Sequence, residues 1–208
     1  MKESLIIIGA GNVGGFLVLN QELFSTQYNI IGFLDDAVEK KDKSYWDIPV
    51  LGTLDDLHKY PDAALVIGIA KPLVKKKILQ KIGDNHKFPN FISKNTWISN
   101  SVNFGKGIII YPGVSINHES ELGEFVIINM NCAIGHNTKI EKCSSLAPGV
   151  NFAGFTHVEP YTEIGIGVST IQQIKIGEGS IIGGQSMVVR NTEAYATYIG
   201  VPARKKEL

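Results

Sequence analysis

Ile128-Asn129-Met130-Asn131-Cys132-Ala133-Ile134-Gly135-His136-Asn137-Thr138-Lys139-Ile140 puts an isoleucine at every sixth position. Stepping by six from Ile98 to Val188 visits 16 positions, and 15 are apolar, Thr170 being the exception. A chain that is 44% apolar would give about seven by chance, so the spacing is an internal repeat. Four residues after each anchor the side chain is always small or β-branched, as at Ser120, Val126, Cys132, Thr138 and Val150. Glycine often follows the anchor directly, as at Gly105, Gly123, Gly135, Gly165, Gly177 and Gly183, where it is expected to ease a corner. Six residues make one short flat face, and three faces close a triangular coil. The pattern specifies a parallel β-helix in which residues eighteen apart stack at about 4.7–4.9 Å. Residues 92–191 supply five to six coils, and such a solenoid buries its core only by stacking.

Upstream the grammar changes. Leu5-Ile6-Ile7-Ile8 reads as a buried strand, and Gly9-Ala10-Gly11-Asn12-Val13-Gly14 as a G-x-G-x-x-G turn. An apolar helix from Val13 to Leu23 and a second strand, Ile30 to Leu34, complete a βαβ opening. Such glycines let backbone approach a diphosphate, and the free amides of the helix start face the anion. Asp35 and Asp36 end the second strand, where carboxylates suit ribose hydroxyls. A strand at Ile48–Leu51, a short helix at Leu54–His58, a strand at Ala64–Ile69 and a lysine-rich helix near 73–82 follow. This half-Rossmann unit suits a single nucleotide or nucleotide sugar better than a dinucleotide. The expected organisation is an α/β domain over residues 1–82, a linker over 83–95 that carries Pro89, and a β-helix domain over 92–208.

Composition narrows the partners. Twenty basic and twenty acidic residues cancel, which argues against nucleic acid and against binding to an acidic membrane. Cys132 falls in an inward slot of the repeat, and with only Cys143 besides it no disulfide framework exists. The apolar run Leu5 to Leu19 lacks a basic leader and a cleavage site, and is too short to span a membrane. A cytoplasmic protein is expected.

Five histidines can be weighed singly. His58 and His86 read as surface residues, and His157 precedes an anchor. His118 and His136 lie two residues after their anchors and eighteen apart, so they stack on one edge of adjacent coils. They form either a solvated ladder or a site in which one imidazole is a general base. Some β-helices hold zinc through three histidines, in the manner of gamma-type carbonic anhydrases, but the closely spaced H-x-x-x-x-H pair is missing here, so no metal is expected.

End to end, the chain resembles the bacterial sugar acetyltransferases of the sialic-acid O-acetyltransferase and UDP-4-amino-sugar N-acetyltransferase type. The resemblance runs through Gly9–Gly14, Phe33-Leu34-Asp35-Asp36, Val66–Lys71, the repeat and the closing Gly200-Val201-Pro202-Ala203-Arg204. It implies a left-handed β-helix, a homotrimer, a nucleotide-linked amino sugar on the N-terminal domain and acetyl-CoA in a groove between neighbouring solenoids. By the same resemblance His136 is the catalytic base. Asn137 stands where the family has Glu or Asp, and Ser145 where it has a second histidine near acetyl-CoA. Glu119, one coil below Asn137, is a candidate for the missing charge. Ile166 and Gly184 match groove positions, with Gly154 and Gly165 nearby. Gly11, Asn12 and Val13 match the diphosphate turn, Asp35 and Asp36 the base and ribose contacts, while Lys71 and His118 are further substrate-side candidates. The reaction implied is N-acetylation of a nucleotide-linked 4-amino-4,6-dideoxy sugar. O-acetylation of sialic acid or a related sugar, a trimer that binds sugar nucleotide but has lost catalysis, and an NAD enzyme remain as alternatives.

Overall fold

The computed structural model describes residues 2–24, 27–83 and 86–207, so residues 84 and 85 of the expected linker lie outside it. The first unit is a five-stranded sheet built from β1 (Glu3–Ile8), β2 (Tyr28–Leu34), β3 (Ser44–Tyr45), β4 (Ile48–Gly52) and β5 (Ala64–Ile67). Their order is β3-β4-β2-β1-β5, parallel except for the β3–β4 hairpin. Leu5, Ile6, Ile7 and Ile8 are buried on both faces, as a central parallel strand requires.

Several expected boundaries move. The first helix, α1, runs only from Asn12 to Leu19. The Asn20 side chain donates to the Phe16 carbonyl (2.9 Å), and a separate 3₁₀ turn covers Gln21–Leu23. The segment expected as a helix at 54–58 is a 3₁₀ turn over Leu54–Lys59, started by a Thr53–Asp56 capping box. β5 ends at Ile67 rather than Ile69, and α2 spans Pro72–Ile82. The short strand β3 has no counterpart in the sequence reading.

From Phe91 to Val188 two-residue strands form three sheets whose partners are eighteen residues apart: Ser115 with Ala133, Glu121 with Lys139, Ile127 with Ser145. Every anchor from Ile110 to Val188 is buried, and so is every small residue of the slot four places on. Ile98 and Phe104 in the first coil are only partly covered, since no coil lies beneath them. Thr170, the polar anchor, is 5% exposed and keeps its hydroxyl partnered, accepting from the Ala153 amide (3.1 Å) and sharing a bond with the Thr156 hydroxyl (3.0 Å). Arg204–Lys205 pairs antiparallel with Thr197–Ile199 at the far end.

The corners correct the expectation for glycine. The left-handed conformation falls three residues after the anchor, at Glu119 (φ 55°), Phe125 (58°), Asn137 (55°) and Cys143 (59°) among others. The glycine directly after the anchor serves the next coil instead. A Cβ on Gly135 would sit 2.6 Å from the Gly154 amide nitrogen, and one on Gly123 2.6 Å from that of Lys142. Close stacking of coils, not turning, excludes a side chain there.

The two units are docked on each other. Ile109, Ile127 and Tyr111, on the outer side of one solenoid face, share a core with Leu5, Leu17 and Phe24. Phe16 stacks on Tyr111 at 4.3 Å between ring centres. Phe125 and Cys143, at one corner, pack with Ile78 of α2 and Phe88.

Candidate active site

The cleft of the N-terminal domain is built on strand termini. β1 lies between β2 and β5, so chain connections diverge to either side of it and leave a crevice at the carboxyl ends of the strands. A cleft of about 380 Å³ there is lined by Gly9, Gly11, Asn12, Val13, Asp35, Lys40, Gly68, Ile69, Ala70 and Lys71. Gly11, at the start of α1, has no side chain capping the helix end. The glycines of the turn differ in purpose. A Cβ on Gly14 would meet the Gly9 carbonyl at 2.4 Å, whereas one on Gly11 would meet nothing within 4 Å. Gly14 packs helix on strand; Gly11 leaves the cleft open to a ligand.

Beside it a second pocket of about 210 Å³ is walled by Leu34, Leu54, Ile69, Val74 and Ile78, with Asp35 and Asp36 at its polar side. The two carboxylates already have protein partners. Asp35 accepts from the amides of Ala10 (2.8 Å) and Ala37 (3.0 Å) and from Lys40 Nζ (2.7 Å). Burial pushes its carboxyl up, but the Lys40 contact and those two amides outweigh burial and hold it below the ordinary range. Asp36 accepts from the Leu54 amide (2.8 Å) and lies 3.8 Å from Lys81 Nζ. Lys40 was not foreseen from sequence: it follows the second strand in a 3₁₀ turn, and only the fold returns it to the cleft. Lys71 stands exposed at the N-terminal cap of α2.

The imidazole end occupies one solenoid corner. His118 and His136 stack with ring centres 5.3 Å apart and planes 11° from parallel. Phe155, one coil further, meets the His136 ring edge-on at 5.1 Å. Gly154 lies against the same ring, and a Cβ there would be 2.6 Å from His136 Nε2. His136 Nδ1 is 2.9 Å from Asn137 Oδ1, and Asn137 Nδ2 donates to Glu119 Oε2 at 2.7 Å. Because an amide oxygen accepts, this contact is a hydrogen bond when Nδ1 carries the proton, the tautomer that in the neutral ring leaves the lone pair on Nε2.

Ser145 lies elsewhere. It is 6% exposed, accepts from Lys75 Nζ (2.8 Å) and donates to the Ala70 carbonyl (2.5 Å). Lys75 is fully buried and was also missed, although it sits between the buried Pro72 and Ile78 on the inward stripe of α2. Its i±3 spacing to both was the available signal. Ile166 and Gly184 stack on a different solenoid edge from His136, across the face that carries Ser115, Ala133, Asn151 and Ser169. Among the described residues no group of three or more His, Cys, Asp or Glu side chains could hold a metal ion. Nor, among them, is any helix long and apolar enough to cross a membrane.

Comparison with known proteins fits this geometry. Residues 4–82 match the PglD N-terminal domain family. Over 211 residues the chain is 28% identical to GDP-perosamine N-acetyltransferase of Escherichia coli O157:H7, covering 96% of this chain and 94% of that one. It is 31% identical over 111 residues to serine acetyltransferase of Bacillus subtilis (strain 168), and spans about half the length of that relative, 51%. Among solved structures it matches a mutant of perosamine N-acetyltransferase from Caulobacter crescentus in complex with CoA and GDP-perosamine, with a TM-score of 0.89 at 25% identity, covering 100% of this chain and 98% of that one. The chain is thus similar over nearly its full length to a sugar N-acetyltransferase, its residues 4–82 match the PglD N-terminal domain, and its solenoid has the left-handed β-helix fold of these structures.

Proposed function

We propose that this protein transfers acetyl from acetyl-CoA to the amino group of a nucleotide-linked 4-amino-4,6-dideoxy sugar. Residues 1–82 would carry the nucleotide and residues 92–208 the acetyl chemistry. The observation that carries the reading is the His136 corner, where Nδ1 is committed to Asn137 and Nε2 is left as a base. The cleft at Gly11–Val13 supplies the other half, with Lys40 and Lys71 placed to neutralise a diphosphate and the apolar pocket beside it sized for a base.

In the reaction the sugar amine attacks the thioester carbonyl and forms the C–N bond. His136 Nε2 takes the proton the nitrogen loses, the C–S bond breaks, and that proton neutralises the departing thiolate as free CoA. A positioned base contributes ~10²–10⁴-fold, and holding both substrates adds the entropic advantage of proximity.

The homotrimer belongs to the same proposal. The solenoid face whose middle carries Ser115, Ala133, Asn151 and Ser169, flanked by Trp97 and Met187 at its two ends, lies between the His136 corner and the Ile166–Gly184 edge. Packing copies along it would set one protomer's His136 opposite its neighbour's Ile166 and Gly184, forming an acetyl-CoA groove from two chains. A cytoplasmic setting is part of the same proposal and suits two cysteines that are free rather than paired.

The test is acetyl-CoA turnover, read as free thiol, against UDP-, dTDP- and GDP-linked 4-amino-4,6-dideoxy sugars and against sialic acids. Thiol release with one amino sugar is the expected result. Release only with a hydroxyl acceptor would replace N- by O-acetylation. Silence across the panel, with nucleotide-sugar binding intact, would mark catalysis as lost.

A further inference from the structure

We infer that Glu119 is a positioning residue for the base, acting on His136 through the Asn137 amide. This rests on the reading of His136 as the base and extends it to a carboxylate in a different coil. Asn137 alone is symmetric in outline: turned over, its NH₂ would face Nδ1 and favour the wrong tautomer. Glu119 removes that freedom. Its carboxylate only accepts, so at 2.7 Å it requires the NH₂ end of Asn137 to point down and the oxygen to point at His136. The two residues share the left-handed corner position eighteen apart (φ 55° for each), which stacks them without rearrangement.

Both backbones are pinned. The Glu119 amide donates to Ser101 Oγ (3.0 Å) and the Asn137 amide to the His118 carbonyl (2.9 Å). His118 Nδ1 is 4.0 Å from the same Glu119 oxygen, beyond hydrogen-bond reach, so Asn137 is its closer partner. Negative charge thus reaches the imidazolium of the transition state through one polarised amide rather than by direct contact. The carboxylate lies one coil down and the amide bridges the gap.

The experiment compares Glu119→Gln, Glu119→Ala and the double variant Asn137→Asp with Glu119→Gln, all as full-length protein and with thermal melts as fold controls. Glu119→Gln should lower kcat roughly 10-fold, within the range a positioned base supplies, with both KM values nearly unchanged. The double variant puts the carboxylate directly on His136, and should return kcat to within about threefold of the parent. A purely structural Glu119 would not be rescued that way. Unchanged kcat in both single variants, or a double variant no faster than Glu119→Gln, overturns the inference. A second readout needs no sugar. Nitrogen NMR of labelled histidine should show neutral His136 protonated on Nδ1, and Glu119→Ala should populate the Nε2–H tautomer. An unmoved tautomer overturns the relay. A moved tautomer with no turnover on any acceptor upholds it and removes the proposed activity instead.

Discussion

Two corners of the same solenoid have nearly the same backbone and opposite fates. One carries Glu119, Asn137 and Phe155 at its left-handed positions; the other carries Phe125, Cys143 and Tyr161. The first presents polar side chains to solvent, where a hydrogen-bonded line runs from Glu119 to His136. The second is roofed by α2, whose Lys75 amine is buried and donates to the Phe125 carbonyl (2.8 Å), to Ser145 Oγ (2.8 Å) and, more weakly, to the Ser144 carbonyl (3.4 Å). Burial holds that amine down to about 7. Stacking fixes where a corner side chain points. What covers the corner decides whether its polar groups can meet a substrate or serve to join two domains. Ser145 illustrates the second outcome, since its hydroxyl ties Ala70, in the lining of the Gly11–Val13 cleft, to the solenoid.

The contrast can be broken most forcefully at His136. His136→Ala should cut kcat by ~10²–10⁴-fold while leaving acetyl-CoA affinity and thermal stability close to the parent's. Near-normal kcat would remove the base role. Gly154→Ala sharpens the same corner by geometry alone, because the new methyl would fall 2.6 Å from Nε2. Displacing the ring should cost roughly 10–100-fold in kcat without altering the nucleotide-sugar affinity. An unaffected rate would show that the ring position seen here is not the reactive one.

At the buried corner the expected effect is on stability and depends on pH. Lys75 is about 7 in the folded protein and near its ordinary 10.5 when unfolded. Between those values the unfolded chain binds more protons, so this residue makes stability rise with pH across that window and leaves it flat below. Lys75→Met removes the slope. The stability gap, parent minus variant, from urea unfolding should therefore be more positive at pH 9.5 than at pH 7. Using the gap cancels the buried Cys132 thiol, pushed up by burial to about 11, which acts in both proteins. A constant gap would mean that Lys75 stays charged in its pocket.

Much of this was legible in the repeat. Anchors and slots gave the β-helix, its eighteen-residue register and the stacking of His118 on His136. The same arithmetic put Glu119 beneath Asn137. Boundaries in the first domain were less legible, because Asn20 and the Thr53–Asp56 capping box redirect short segments through side-chain bonds that hydrophobic periodicity does not encode. The role of glycine after each anchor was misread for a similar reason: the clash that excludes a Cβ lies in the next coil. Lys75 was covered only by the reading of a lysine-rich helix near 73–82, and its burial depends on a docking partner some fifty residues away in the chain.

By itself the sequence determined the coil, the facing direction of every anchor and the presence of a phosphate-type turn, because each follows from local periodicity and backbone geometry. The orientation of the Asn137 amide, the return of Lys40 to the cleft and the burial of Lys75 were decided only by tertiary structure. Those depend on which groups, distant in sequence, compete for the same hydrogen bonds once the domains close on each other and exclude water.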